Sequence, residues 1–446
     1  MFLHGTSRLN AAGHLEIGGC DVTELKAEYG TPLYIMDEAL IRRRCREYMD
    51  AFAATGLGFQ VAYASKAFSV MAMCRLVDQE GLSLDVVSDG ELYTALKAGF
   101  PPERIHFHGN NKTPEEIEMA LDAEIGCFVV DNFTELALLE AIAAERGANV
   151  RILLRVTPGV EAHAHHAYAA TGQTDSKFGF DIGNGSALEA VRAAEAAAHL
   201  DLLGVHSHIG SQIFETEGFQ LAVERVAAFA RKAKEELGAS FRVVNLGGGF
   251  GIRYVEGDTP LEVSEYVAAI AGAVKTHFAG IDAALPEIWV EPGRSIVGDA
   301  GTTLYTVGTS KDIPGVRKYI AVDGGMTDNP RPALYESKYE AILANRAAEP
   351  AAETVSIAGK CCESGDMLIW DVELPEPKSG DLLAVACTGA YNYSMASNYN
   401  RIRRPAVVFV ENGRSDLVVR RETRDDIVAG DVIPRRLAAQ QPAAKA

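Results

Sequence analysis

Four short stretches of this chain carry side chains with complementary chemistry, and each comes directly after an apolar run. Lys66 closes a run beginning at Phe59. His208-Ile-Gly-Ser211 follows one beginning at Leu202, Gly247-Gly-Gly249 one beginning at Val243, and Glu291-Pro-Gly-Arg294 one beginning at Glu287. An amine can condense with an aldehyde, an imidazole can lie flat on a ring, and glycine N–H groups can approach a phosphate closely. A carboxylate can keep a pyridine nitrogen protonated, so that the ring accepts an electron pair. Together the four read as a site for pyridoxal phosphate.

Each stretch also has a bland reading when taken alone. Lys66 could be a solvated strand-end lysine, Gly247-Gly-Gly249 a tight turn, and Glu291 with Arg294 a structural ion pair. His206 and His208 lie two apart in a strand and so face the same way, which suits one functional ring and one support, with His208 favoured for the function. Asp85 and Arg155 fall inside otherwise apolar strands, where a charge is costly without a partner such as the cofactor, Lys66 or another polar group. Further on, Cys361-Cys362-Glu363, Arg331 with Tyr335, and the loop around Tyr391 are polar clusters whose spacing alone assigns no chemistry.

The elements that must position these groups repeat along the chain. Short apolar runs at Phe59–Ser65, Leu82–Ser88, Arg104–Gly109, Cys127–Asp131, Arg151–Thr157, Leu202–His208, Val243–Leu246 and Glu287–Glu291 alternate with segments of helical period. Such runs, without polar alternation, predict strands covered on both faces, and so an α/β fold with a parallel (β/α)8 TIM barrel. The loops after strands seven and eight of such a barrel are a frequent phosphate site, which favours phosphate for Gly247-Gly-Gly249, while Arg294 could serve phosphate or a substrate carboxylate. From about residue 301, runs at Thr302–Gly308, Tyr319–Val322, Thr354–Ala358, Asp381–Ala386 and Ala406–Glu411 are separated by turn signals. They predict a second, all-β domain of sandwich or barrel type, which a strand at His14–Ile17 could join. The expected division is a barrel over 38–300, a β domain from 1–37 and 301–434, and a frayed tail over 435–446.

Composition sets the outer bounds. With 446 residues, 48% hydrophobic and 23% charged, the chain fits a soluble globular protein of two domains. The net charge of −19 and the lack of a basic patch argue against nucleic acid. The seven cysteines are odd in number and lack zinc or redox spacing, so no metal site is expected and a reducing cytoplasm fits. No leader-like segment and no apolar run of membrane-spanning length is seen, so no membrane partner is expected.

Nearly the whole chain, from Tyr29-Gly-Thr-Pro32 to about Gly430, resembles the diaminopimelate decarboxylase family of fold-type III pyridoxal phosphate enzymes. The resemblance rests on YASKA ending at Ala67, HSHIGSQ ending at Gln212, GGGFG ending at Gly251 and EPGRS ending at Ser295. RPALY ending at Tyr335, CESGD ending at Asp366 and AYNYSMASNYN ending at Asn400 extend it. It implies that Lys66 carries the cofactor, His208 stacks on its ring, and Ser211, Gly248, Gly249, Gly293, Arg294 and Tyr391 surround it, with Glu291 at the pyridine nitrogen and Asp85 nearby. It further implies that Arg294, Arg331, Tyr335, Glu363 and Tyr391 gather at the distal end of the substrate, and that Cys362 protonates the product in the active site of a partner subunit. The implied reaction takes meso-diaminopimelate to L-lysine and carbon dioxide in a homodimer.

One departure is Ser337-Lys338-Tyr339-Glu340, where many relatives have a short apolar, histidine-containing stretch; it bears on fine substrate preference. Two rival readings are a decarboxylase of the same fold acting on a basic amino acid or polyamine precursor, and a non-catalytic homologue that binds a protein. A third is a phosphate-sugar barrel without pyridoxal phosphate.

Overall fold

The computed structural model describes residues 1–160 and 176–437. Eight parallel strands close into a barrel: β1 (Phe59–Ala64), β2 (Ser83–Val86), β3 (Ile105–Phe107), β4 (Cys127–Val130), β5 (Val150–Thr157), β6 (Leu200–His206), β7 (Val243–Asn245) and β8 (Glu287–Val290). Each pairs with the next, and β8 returns to β1 through Ile288, Trp289 and Val290 opposite Phe59, Gln60 and Val61. All eight coincide with the predicted runs, with ends shifted by a residue or two. Several of those runs extended into the polar strand-end residues, which leave the ladder and enter the site.

Helices follow the strands and start where the sequence supplies caps. Ser88 and Asn132 accept from the N–H groups of Glu91 and Glu135, and Thr113 with Glu116 forms a capping box. The strand-eight position is filled differently. Only a short helix, Arg294–Val297, follows β8, and the helix Glu38–Ala53 that precedes β1 packs beside it and beside Val263–His277.

The barrel interior is stratified. Cys127, Val129, Leu153, Leu203, Val243 and Trp289 form an apolar plug, with His106 stacked on Trp289 at 4.5 Å. Above this plug, toward the C-terminal strand ends, the inward residues become Asp85, His108, Arg155, His206 and Glu291.

The second sheet is built around Leu33–Asp37, a strand that periodicity did not single out. It runs antiparallel to Gly301–Ile313 on one side and parallel to Ala406–Glu411 on the other. All five of its residues are buried. Ala341–Leu343, Met367–Leu374 and Arg414–Val419 are further strands not anticipated. The predicted strand near His14–Ile17 forms at Leu15–Ile17, but within a separate three-stranded sheet with Arg8–Leu9 and Cys20–Asp21. It touches the larger sheet of the β domain through the Leu15 N–H, which donates to the Ala344 carbonyl at 2.7 Å. Most of the expected tail, 438–446, lies outside the described residues.

Ile35 lies at the middle of that central strand with no exposed surface, among Leu33, Leu304, Ala384 and Val408. Ile35→Ala should cost about 2–5 kcal/mol through lost burial and the remaining cavity, lowering the thermal midpoint in a melting experiment. An unchanged midpoint would show the strand to be dispensable.

Candidate active site

Lys66 sits in a single 3-10 turn, Ser65–Ala67, immediately after β1. Its side chain opens into a cavity of about 1030 Å³, to which much of its surface is exposed. Burial pulls its amine pKa down, but Tyr391, Asp85 and Glu291 outweigh this and leave it above the ordinary lysine value. The turn is clasped from the β domain: the Tyr391 N–H donates to the Ala67 carbonyl at 2.8 Å and the Ser394 hydroxyl to the same oxygen at 3.2 Å. Tyr391 adopts φ 62°, a left-handed conformation uncommon for a non-glycine residue, which brings its ring to the cavity wall.

At the end of the adjoining strand β8, Glu291 is buried among three polar groups. Asn245 Nδ2 donates to Oε1 at 2.6 Å, His108 Nε2 lies 2.9 Å from the same oxygen, and His206 Nε2 lies 3.0 Å from Oε2. Burial would raise the carboxyl pKa, yet the two imidazoles hold it well below the usual range. Burial lowers His206 to about 4, against the pull of Glu291. For His108 burial also lowers, but Glu291 and Asp85 together prevail and raise it. His108 is therefore the preferred cation of the group. Asp85 lies 4.0 Å from His108 Nε2 and is pushed up by burial and by Glu291.

His206 thus supports Glu291, whereas sequence spacing suggested it as support for His208. His208 instead belongs to the glycine loop: its Nδ1 accepts from the Gly248 N–H at 3.2 Å, and burial with the nearby Lys66 charge keeps the ring neutral. The reading of Gly248 as an open phosphate donor is corrected to that extent, because its N–H is directed to the imidazole. The glycines are nonetheless required. A Cβ at Gly248 would stand 2.3 Å from the Glu291 carbonyl oxygen, and one at Gly249, where φ is +104°, 2.3 Å from that of Gly210.

The alternative of a Glu291–Arg294 pair is not formed. Arg294 donates to the Tyr254 hydroxyl at 2.6 Å and to Ser211 Oγ at 2.9 Å, and its guanidinium lies 5.0 Å from the Tyr391 ring centre. Arg155 does not pair with Asp85 either. It approaches Asp131 at 3.9 Å and stacks on Phe178 at 4.2 Å. Arg331, buried in the short helix Arg331–Tyr335, donates to the Tyr339 hydroxyl at 2.7 Å. Tyr335 and Gly293 also line the cavity.

Cys362 and Glu363 do not line it. Cys362 is exposed, with its N–H donating to Asn400 Oδ1 at 2.7 Å, and Glu363 is exposed beside it. Cys361 is half-buried, and burial with Asp366 pushes its thiol up to about 11. His108, Asn245 and Tyr254 were not singled out from sequence, and Tyr339 only as part of the departing segment Ser337-Lys338-Tyr339-Glu340. For His108 the signal was present, a histidine directly after a strand in the same position as Lys66; Tyr254 carried none.

The arrangement fits pyridoxal phosphate. Among the described residues, Asp85 Oδ1 and Arg294 Nε are buried atoms without a hydrogen-bond partner, and both belong to side chains lining the cavity. They lie with an amine, a neutral imidazole, a pinned carboxylate and a glycine loop that has no room for side chains. No helix among the described residues is long and apolar enough to cross a membrane.

Residues 38–298 match the family model for the pyridoxal-binding domain of pyridoxal-dependent decarboxylases, and the chain belongs to that family. Within it the chain groups with the diaminopimelate decarboxylases. It is 63% identical to the diaminopimelate decarboxylase of Bacillus subtilis, over 97% of this chain and 98% of that protein, and 49% identical to that of Staphylococcus aureus, over 96% and 99%. The crystal structure of diaminopimelate decarboxylase from M. jannaschii in complex with L-lysine superposes with a TM-score of 0.91 at 38% identity, covering 97% of this chain and 99% of that one.

The Glu291 pKa gives a pH test. Because it lies below the ordinary 4.5, its stabilising contribution is present above pH 4.5 and is lost as the pH falls through the depressed value. Thermal midpoints of the cofactor-free protein and of Glu291→Gln should therefore differ at neutral pH and converge on acidification. Parallel curves would mean that the histidines do not hold a charged carboxylate.

Proposed function

We propose that this chain uses pyridoxal 5'-phosphate to remove the carboxylate at the D-centre of meso-2,6-diaminopimelate, giving L-lysine and carbon dioxide as the last step of lysine biosynthesis. The observation that carries the choice of substrate is Arg331. Its guanidinium is buried at the cavity wall, and among the described residues it has no carboxylate partner. An uncompensated buried cation favours an incoming anion, so the distal end of the substrate carries a carboxylate. A basic amino acid or polyamine precursor would present a second cation there instead. A non-catalytic homologue would have no need of Lys66, Glu291 and Cys362 together.

When bound, pyridoxal phosphate supplies an aldehyde for an amine and a protonated ring that accepts the electron pair released at Cα. Lys66 would provide the amine that holds it. Glu291, fixed by His108, His206 and Asn245, holds the proton at the ring nitrogen, and Asp85 adds negative charge beside it. His208 covers one ring face as a neutral imidazole and so excludes water. Ser211, Gly249 and Arg294 take the phosphate, with Gly248 fixing the His208 ring. Arg331 and Tyr335 hold the distal group, which orients the scissile carboxylate in the cavity.

We assign Cys362 as the donor that protonates Cα, and Glu363 as a distal contact, both in the site of a second copy of the chain. Support comes from their position: they are exposed and lie outside their own chain's cavity. The working unit is then a homodimer, and the cofactor domain spans 38–300. The cytoplasm supplies the cofactor and keeps Cys362 reduced.

The substrate assignment is checked by measuring carbon dioxide release from meso-diaminopimelate, L-lysine, L-ornithine and L-arginine. Turnover should be confined to the first; efficient release from L-ornithine would replace it with a basic amino acid. The shared site is checked by mixing Lys66→Ala and Cys362→Ala subunits, each nearly inactive alone. After random exchange, half the dimers are mixed and half their sites intact, so activity should recover to roughly a quarter of wild type. If exchange is demonstrated and no recovery occurs, Cys362 does not serve a neighbouring site.

A further inference from the structure

We propose that Tyr339 is a positioning residue that fixes the Arg331 guanidinium in the orientation that receives the distal carboxylate of the substrate, and so sets the preference for dicarboxylic over monocarboxylic amino acids. The proposal rests on the reading of Arg331 as the distal carboxylate site.

Tyr339 is nearly fully buried, at 4% exposure, in a segment that is otherwise polar. Its hydroxyl accepts from Arg331 Nη1 at 2.7 Å, and among the described residues this is the only side-chain hydrogen bond that Arg331 makes. The guanidinium is also flanked by two rings. It lies 4.9 Å from the ring centre of Tyr254 and 5.7 Å from that of Tyr339, and those rings meet edge to face at 5.6 Å. The Tyr254 ring borders the guanidinium, and the Tyr339 phenol oxygen limits its rotation. A planar fork held in this way keeps its other N–H groups for a bidentate partner.

Tyr254 is shared with the other uncompensated arginine, because its hydroxyl accepts from Arg294. The two cations are thereby kept apart by an aromatic wall, one beside Ser211 and the other beside Tyr339. Tyr339 touches only the second of them through its hydroxyl. Its removal should be felt at the distal end and not at the cofactor.

The test uses the holoenzyme and two ligands, L-lysine, which keeps the distal amino-acid group, and cadaverine, which lacks any carboxylate. Tyr339→Phe keeps both ring contacts and deletes the acceptor. It should weaken L-lysine binding and raise KM for meso-diaminopimelate by roughly tenfold, the loss of one hydrogen bond to a charged group. Cadaverine affinity, kcat and the cofactor absorbance should stay at wild-type values, and Tyr339→His, which restores a ring acceptor, should recover part of the loss. In an Arg331→Lys background Tyr339→Phe should add nothing. Equal weakening of both ligands, loss of cofactor or of fold, or an additive double mutant would each overturn the proposal by making Tyr339 merely structural. If Arg331→Lys leaves L-lysine binding intact, the distal-site reading itself fails. If Arg331→Lys weakens it and Tyr339→Phe does not, only the role of Tyr339 falls.

Discussion

A buried carboxylate is tolerable only when its surroundings supply as much positive charge and hydrogen bonding as water would, and the barrel mouth is organised around that requirement at Glu291. The groups that meet it come from the ends of three other strands: His108 after β3, His206 on β6 and Asn245 on β7. No local segment could assemble them. Closure of the barrel brings them together, and the apolar plug beneath, with His106 flat on Trp289, keeps water from approaching from the other end. The two histidines are biased in opposite directions, and Asp85, 4.0 Å from His108, adds to the pull of Glu291 there.

Around this anion the cavity is cationic, in a chain whose net charge is −19. Lys66, Arg155, Arg294 and Arg331 all line it. Arg155 has an acid nearby in Asp131, while Arg294 and Arg331 are contacted by tyrosines and a serine. A phenol can orient a guanidinium without neutralising it, which leaves the charge available to a ligand. The site therefore pairs one fully satisfied carboxylate with two arginines that are positioned but not neutralised, a division suited to a ligand with a basic ring nitrogen at one end and anionic groups at the other.

The barrel and the reactive groups on its strand ends were legible in the sequence, because near-continuous apolar runs and motifs such as Glu291-Pro-Gly-Arg294 are local signals. What was not legible depends on contacts between distant residues. Leu33–Asp37 reads as a short apolar run of no obvious partner, and its partners begin at Gly301 and Ala406. Tyr339 lies in a segment of polar residues, and only the fold turns its ring inward onto Arg331. The role of His206 was misjudged for a related reason: strand alternation gives a shared face with His208, but not which neighbour each ring reaches. Gly248 shows the reverse, a residue type demanded by crowding at the Glu291 carbonyl, with its N–H used within the protein.

The central place of Leu33–Asp37 also orders events during synthesis. These five residues leave the ribosome among the first, the barrel strands follow, and both neighbours of the early strand arrive only with the last third of the chain. A nascent chain therefore carries an apolar strand with two open edges that waits for its partners, a segment that would pair with other strands if left exposed. The loop bearing Tyr391 and Ser394, which clasps the Lys66 turn, emerges in the same late stretch. Completion of the β domain and completion of the catalytic pocket thus coincide, and a truncated translation product would lack the clasp on its lysine.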